Sequence, residues 1–181
     1  ALDNLYRRVG IHLARQVSIV IEGAIGMEKI ATMQSGFREL KIGDQLGGRP
    51  ILSKDDFLDE EAHGEFLSGT DKKARNFISF IVEGGLRVLV RPSGTEPKIK
   101  LYCEIISAPC GDDMSPSVLQ DRKEVLLKEM MGVMDAVAQQ GYSLLGLDIP
   151  VYGLRCSPLM GLDARMDFAC LLYTSPSPRD V

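Results

Sequence analysis

The sequence has no tryptophan, only two histidines, and an aromatic fraction of 6%. His12 and His63 stand far apart with no cysteine nearby, so a zinc site built from His and Cys is not indicated. The four cysteines, Cys103, Cys110, Cys156 and Cys170, form no CxxC pair. The expectation is reduced thiols in a cytoplasmic protein rather than a disulfide framework. No apolar run approaches the ~20 residues of a membrane span, and no signal peptide is present, so no membrane partner is expected. Basic residues are not in excess: the formal net charge is −4. A general nucleic-acid surface is therefore excluded, and any functional cations must be placed locally. The remaining composition, 45% hydrophobic and 25% charged over 181 residues, is that of one soluble domain with possible attachments.

What is present concentrates between residues 86 and 106. Leu86, Val88 and Val90 alternate with Arg87 and Leu89, and Ile99, Leu101, Cys103 and Ile105 alternate with Lys98, Lys100, Tyr102 and Glu104. Both runs predict strands with one buried face. Pro92 and Pro97 lack an N–H, so the ladder should break between them. The loop so defined carries Arg91, Ser93, Gly94 and Thr95. A guanidinium offers a planar fork of donors suited to two phosphate oxygens. The hydroxyls add donors, and glycine lets successive backbone N–H groups face one anion. Lys98 and Lys100 share a parity and would leave the second strand on one face. Turn chemistry favours the same residue types, so spacing alone leaves an ordinary hairpin turn equally open.

The rest of the chain predicts a frame for this hairpin. Leu2, Leu5, Tyr6 and Val9 recur at helical spacing, with Gly10 as a stop and Arg7 and Arg8 on a solvated face. Val17, Ile19 and Ile21 suggest a short strand, and Met27, Ile30, Met33, Gln34 and Phe37 trace a helical face over about 25–40. Residues 41–49, with three glycines, read as a linker or turn, and 50–53 as a short strand. The acidic run from Asp55 to Glu65 lacks the ligand order of an EF-hand and reads as a solvated loop containing His63. Residues 77–83 are apolar on both faces, as in a well-covered strand. Gly84-Gly85 signals a two-residue hairpin into residue 86. Ser115-Pro116 opens a long helix, as N-cap and first helical residue, and Gly141 is expected to end it. Beyond it, Ser157-Pro158 repeats the helix-start pattern, with Leu159, Leu162 and Met166 on one face.

The run Arg91-Pro92-Ser93-Gly94-Thr95-Glu96-Pro97-Lys98-Ile99-Lys100 resembles the phosphate-binding loop in the C-terminal domain of the α-D-phosphohexomutases, the phosphoglucomutase/phosphomannomutase family. Leu2-Asp3-Asn4-Leu5-Tyr6 is similar to the end of the third domain in the phosphoglucomutase/phosphopentomutase branch. The resemblance covers roughly the first 145 residues. It implies an α+β fold, an antiparallel sheet with helices packed on one face, like the TATA-box-binding protein. It assigns Arg91, Ser93, Gly94, Thr95 and Lys100 to the non-reacting phosphate of a phosphosugar, with Lys98 in support. In such enzymes a phosphoserine in the first domain exchanges a phosphoryl group with the sugar, assisted by Mg²⁺ in the second domain, while a loop of the third reads the sugar. None of those loops (Thr-Ala-Ser-His-Asn-Pro, Asp-Gly-Asp-Gly-Asp, Gly-Glu-Glu-Ser-Gly) occurs here. No catalytic residue and no metal ligand is therefore expected in this chain. Its expected partners are the phosphosugar and upstream domains of the same polypeptide.

The expected organisation is 1–40 as a remnant of the preceding sugar-binding domain and 41–145 as the phosphate-binding domain. Residues 146–169 would be an extension of unclear role. Residues 170–181 form a non-native tail, because Cys170 to Asp180 resembles one reading frame of a sequencing-library adapter. Taken together, the chain reads as a fragment of an intramolecular phosphotransferase acting on hexose or pentose phosphates, inactive alone. A non-catalytic phosphate- or phosphosugar-binding module is the alternative, and a plain structural or dimerisation domain the third reading.

Overall fold

The computed structural model describes residues 2–111, 114–157 and 160–174. Helix α1 (Leu2–Val9) ends at Gly10, whose φ of 92° and N–H bond to the Tyr6 carbonyl stop the helix as expected. Strand β1 (His12–Val20) leads into helix α2 (Gly26–Glu39). The hairpin β2 (Gln45–Leu46) and β3 (Arg49–Asp56) follows, then short helices α3 (Glu60–His63) and α4 (Gly69–Ala74). The meander β4 (Ile78–Val82), β5 (Leu86–Pro92), β6 (Lys98–Ile106) precedes the long helix α5 (Pro116–Ser143). Helices α6 (Val151–Leu154) and α7 (Leu162–Thr174) complete the order.

The six strands form one antiparallel sheet in the order β1-β6-β5-β4-β3-β2. The fold is α+β, with α2 and α5 packed on one face of the sheet. The two-residue alternation produces this arrangement directly. Ile78, Phe80, Val82, Leu86, Val88, Val90, Ile99, Leu101, Cys103 and Ile105 all point to one side and are buried. Against them pack Ile30, Met33 and Phe37 of α2 and Met130, Val133, Met134, Val137 and Tyr142 of α5. Each such side chain contributes roughly 1.5–3 kcal/mol on full burial. Gln34 is buried in the same layer, while Met27, expected on that face, is exposed.

Several elements depart from the sequence expectation. Residues on both sides of position 40 pack into one core. β1 pairs with β6 along its whole length, and Ile19, Ile21, Ile30, Met33 and Phe37 belong to the common core. A strand read from its own alternation gives no sign of its partner, and β1 completes its hydrogen bonds only on β6. Of the two readings of residues 41–49, the turn is the one found: Gly47 and Gly48, both at positive φ, turn β2 into β3, and β3 runs on to Asp56 rather than stopping at Ser53. The acidic run forms α3, where Asp59 accepts from the N–H groups of Glu61 and Ala62. Arg7 is not merely solvated, since its guanidinium donates to the Met114 carbonyl and ties α1 to the loop before α5.

Gly141 does not end α5, which continues to Ser143. A β-carbon there would lie 3.1–3.3 Å from Met33 Sδ, Ile19 Cδ1 and Phe37 Cε2, so this glycine permits close approach of α5 to α2 and the sheet. Beyond α5, Ile149 is buried, and Leu145, Leu147, Leu154, Leu162 and Met166 pack against the core. The buried Arg165 donates to the Met160 carbonyl, and Arg155 pairs with Asp135 at 2.8 Å. Pro158 and Leu159 of the expected helix start lie outside the described residues, and α7 begins at Leu162. Residues 175–181 of the tail read as non-native also lie outside them.

Two outcomes test this packing. Gly132 on α5 is exposed with nothing near its missing β-carbon. Gly132→Ala should raise unfolding free energy by about 0.8–1 kcal/mol, whereas Gly141→Val should lower it by about 1–3 kcal/mol, both read by urea denaturation. Burial pushes the Cys103 thiol up to about 12, helped by the neighbouring Glu104 carboxylate. The unfolded chain loses that proton first, so stability should decline as pH rises from about 9 to about 12. A thiol reagent at pH 8 should label the partly exposed Cys110 in the native protein and Cys103 only after denaturation.

Candidate functional site

The loop joining β5 and β6 is closed by its own backbone. The Ser93 N–H donates to the Lys98 carbonyl at 2.8 Å and the Lys98 N–H to the Glu96 carbonyl at 2.7 Å. Ser93 Oγ accepts from the N–H groups of Thr95 and Glu96 at 3.4 and 3.3 Å, which folds residues 93–96 over the serine. The Pro97 carbonyl accepts the Ile21 N–H at 3.0 Å, so the chain entering α2 braces the loop from behind. Gly26, the first residue of α2, makes that approach possible. A β-carbon there would fall 2.1 Å from the Ile21 carbonyl oxygen and 2.9 Å from Pro97 Cβ.

The register of β5 on β6 sets Arg91 directly opposite Lys100, with Ser18 of β1 beyond Lys100. Two cations on facing strand positions repel, which costs a few tenths to 1 kcal/mol. Neither forms an ion pair with another described residue, in contrast to Arg38 with Asp56 at 2.6 Å and Arg49 with Glu129 at 2.7 Å. Arg91 is exposed and Lys100 half-buried on the sheet face opposite the helices. An anion placed there relieves the repulsion and receives a forked donor and a point charge together.

The six candidate residues are thus only partly brought together. Arg91 and Lys100 face each other, and Ser93, Gly94 and Thr95 form the connecting turn. Lys98 is withdrawn, its ammonium lying 2.5 Å from the Glu96 carboxylate. That pairing accounts for an acidic residue in a cationic loop: Glu96 neutralises Lys98 rather than the pair behind it. The hydrogen bond and charge of Lys98, with Lys100 adding, hold the Glu96 carboxyl below its ordinary value of 4.5.

Alternation along β5 and β6 also sends Arg87, Leu89, Tyr102 and Glu104 to the face that carries Arg91. With Phe77 they line a trough of about 360 Å³. These residues were not singled out from the sequence, although their parity with Arg91 and Lys100 was readable there. The acidic run offers no metal centre. Asp55 faces His63 at 2.6 Å, Asp56 holds Arg38, and Asp59 caps α3. Among the described residues no three His, Cys, Asp or Glu side chains converge on a possible ion. Nor is any described helix long and apolar enough to cross a membrane.

Parts of the chain are similar to known proteins. Residues 62–109 match the family model for the phosphoglucomutase/phosphomannomutase C-terminal domain. Phosphoglucomutase of Staphylococcus saprophyticus is 34% identical over 104 residues, which is 56% of this chain and 18% of that protein. Phosphoglucomutase of Staphylococcus aureus strain MRSA252 is 31% identical over 120 residues, 65% of this chain and 21% of the relative. Among solved structures, the open form of pp63/parafusin, a phosphoglucomutase from Paramecium, aligns over 81% of this chain and 23% of its own. The TM-score is 0.34 at 14% identity. Over residues 62–109 the chain is similar to the C-terminal domain of the phosphoglucomutase/phosphomannomutase family. It spans about a fifth of the length of the curated relatives it matches.

The Glu96–Lys98 pairing has a direct check. Lys98→Met should return the Glu96 titration, followed by carboxyl NMR, toward 4.5. Because the carboxyl is depressed in the folded state, its contribution to stability is present above its unfolded value and lost as pH falls through the folded one. The variant should flatten that part of the acid limb.

Proposed function

We propose that this chain supplies the anchor for the non-reacting phosphate of a phosphosugar in a mutase that interconverts hexose 1-phosphate and hexose 6-phosphate, or the pentose equivalents. The observation that carries the reading is the pair Arg91 and Lys100, neither in an ion pair with a described residue, facing one another across β5 and β6 at the mouth of the Ser93–Thr95 turn. Three or four charge-assisted hydrogen bonds at roughly 1.5–3 kcal/mol each would hold a phosphate group without locking it. Such an anchor uses binding energy remote from the reacting bond to orient the substrate.

Phosphoryl transfer needs a nucleophile and charge neutralisation at the transferred group, and no described cluster here provides a metal seat. Both would reside in upstream domains of the same polypeptide, where the family's Mg²⁺ supports transfer, so this chain is inactive by itself. The phosphoglucomutase/phosphopentomutase branch is favoured by Leu2-Asp3-Asn4-Leu5-Tyr6, and a cytoplasmic setting by the buried, unpaired thiol of Cys103. The folded unit that does this work would run from β1 through Ile149.

The test is a titration of the isotope-labelled chain with inorganic phosphate. Amide shifts should be confined to residues 91–100. Arg91→Ala should weaken binding by about tenfold or more, the loss of one charge-assisted contact. No shifts at millimolar phosphate, or equal affinity in the variant, would overturn the assignment.

A further inference from the structure

The open face of the sheet is ordered in rows. Cross-strand pairing puts Arg91 with Lys100, then Leu89 with Tyr102, then Arg87 with Glu104. Successive rows lie roughly 7 Å apart, since same-face residues are two positions apart along a strand. The first row is cationic, the second apolar and aromatic, and the third carries a donor fork beside a carboxylate. Arg87 and Glu104 are both exposed and form no ion pair with each other or with any other described residue. Phe77 closes one side of the trough and is held there by stacking on Phe57, their ring centres 4.0 Å apart.

We infer that this trough is a sugar subsite continuous with the phosphate anchor. Resting on the phosphate reading above, the inference extends the chain's role from holding an anion to recognising the sugar attached to it. A sugar phosphate has the same three parts in the same sequence. Its phosphate meets Arg91 and Lys100, and the carbon-bound hydrogens of its ring meet the Tyr102 face and Leu89. Its hydroxyls then meet a carboxylate that accepts and a guanidinium that donates. The volume of about 360 Å³ suits one small ligand, within the ~300–1,000 Å³ usual for such sites. Glu104 argues against a second anion in that position.

The experiment compares inorganic phosphate, glycerol 1-phosphate and glucose 1-phosphate on the full chain by NMR titration. Glucose 1-phosphate should bind about tenfold tighter than the other two, the worth of one charge-assisted hydrogen bond. It alone should shift the amides of Tyr102 and Glu104. Glu104→Ala and Tyr102→Ser should bring the affinity ratio of glucose 1-phosphate to inorganic phosphate close to one, while Tyr102→Phe, which keeps the ring, should retain most of it. Equal affinity for all three ligands, with shifts at residues 91–100 only, would remove the sugar subsite and leave the phosphate anchor standing. A native ratio preserved in both Glu104→Ala and Tyr102→Ser would likewise overturn the subsite. Absence of binding by every ligand would remove both.

Discussion

The structure depends on one-sided burial of the β4-β5-β6 meander. Two-residue alternation sends Ile78, Phe80, Val82, Leu86, Val88, Val90, Ile99, Leu101, Cys103 and Ile105 to the face covered by α2 and α5. The opposite face is consequently left for polar chemistry. A slip of one residue in the β5–β6 register would bury Arg91 and Lys100 and expose Val90 and Leu101, which the core cannot accommodate. The same force that stabilises the domain therefore sets the two cations against each other. Hydrophobic burial holds them in place despite their mutual repulsion.

The loop between Pro92 and Pro97 follows the same logic at smaller scale. Neither proline can donate to the ladder, so the strands part, and the Ser93 hydroxyl gathers the freed N–H groups of Thr95 and Glu96. Glu96 draws Lys98 to itself. The loop thus presents a limited positive charge, enough for a phosphate group and too local to attract polyanions to a chain of net charge −4. Bracing by Pro97 against Ile21 and Gly26 fixes its position relative to α2.

Much of the fold was legible residue by residue. The Gly84-Gly85 hairpin, the N-cap at Ser115 and the alternation of residues 86–106 are local signals, and the chain adopts them as expected. The candidate loop was legible as a motif, and so were its prolines. What was not legible depended on partners distant in sequence. β1 looked detachable because its complement, β6, lies some eighty residues on, and Gly141 looked like a helix stop because Met33, Ile19 and Phe37 are what it accommodates. Likewise His63 appeared isolated until folding brought it to Asp55 and stacked it on Phe57.

The sequence by itself determined the α+β character, the one-sided strands, the breaks at Pro92 and Pro97, and which residues are proposed to grip a phosphate. These follow from side-chain period and backbone chemistry, which act within a few residues. Only the tertiary structure decided that β1 and α2 belong to the same sheet and core, and that Lys98 is neutralised while Lys100 is left facing Arg91. It also decided that Arg87, Tyr102 and Glu104 extend the cationic row into a trough. Strand register and helix docking assign each side chain its neighbours, and they are set by burial summed over the whole domain.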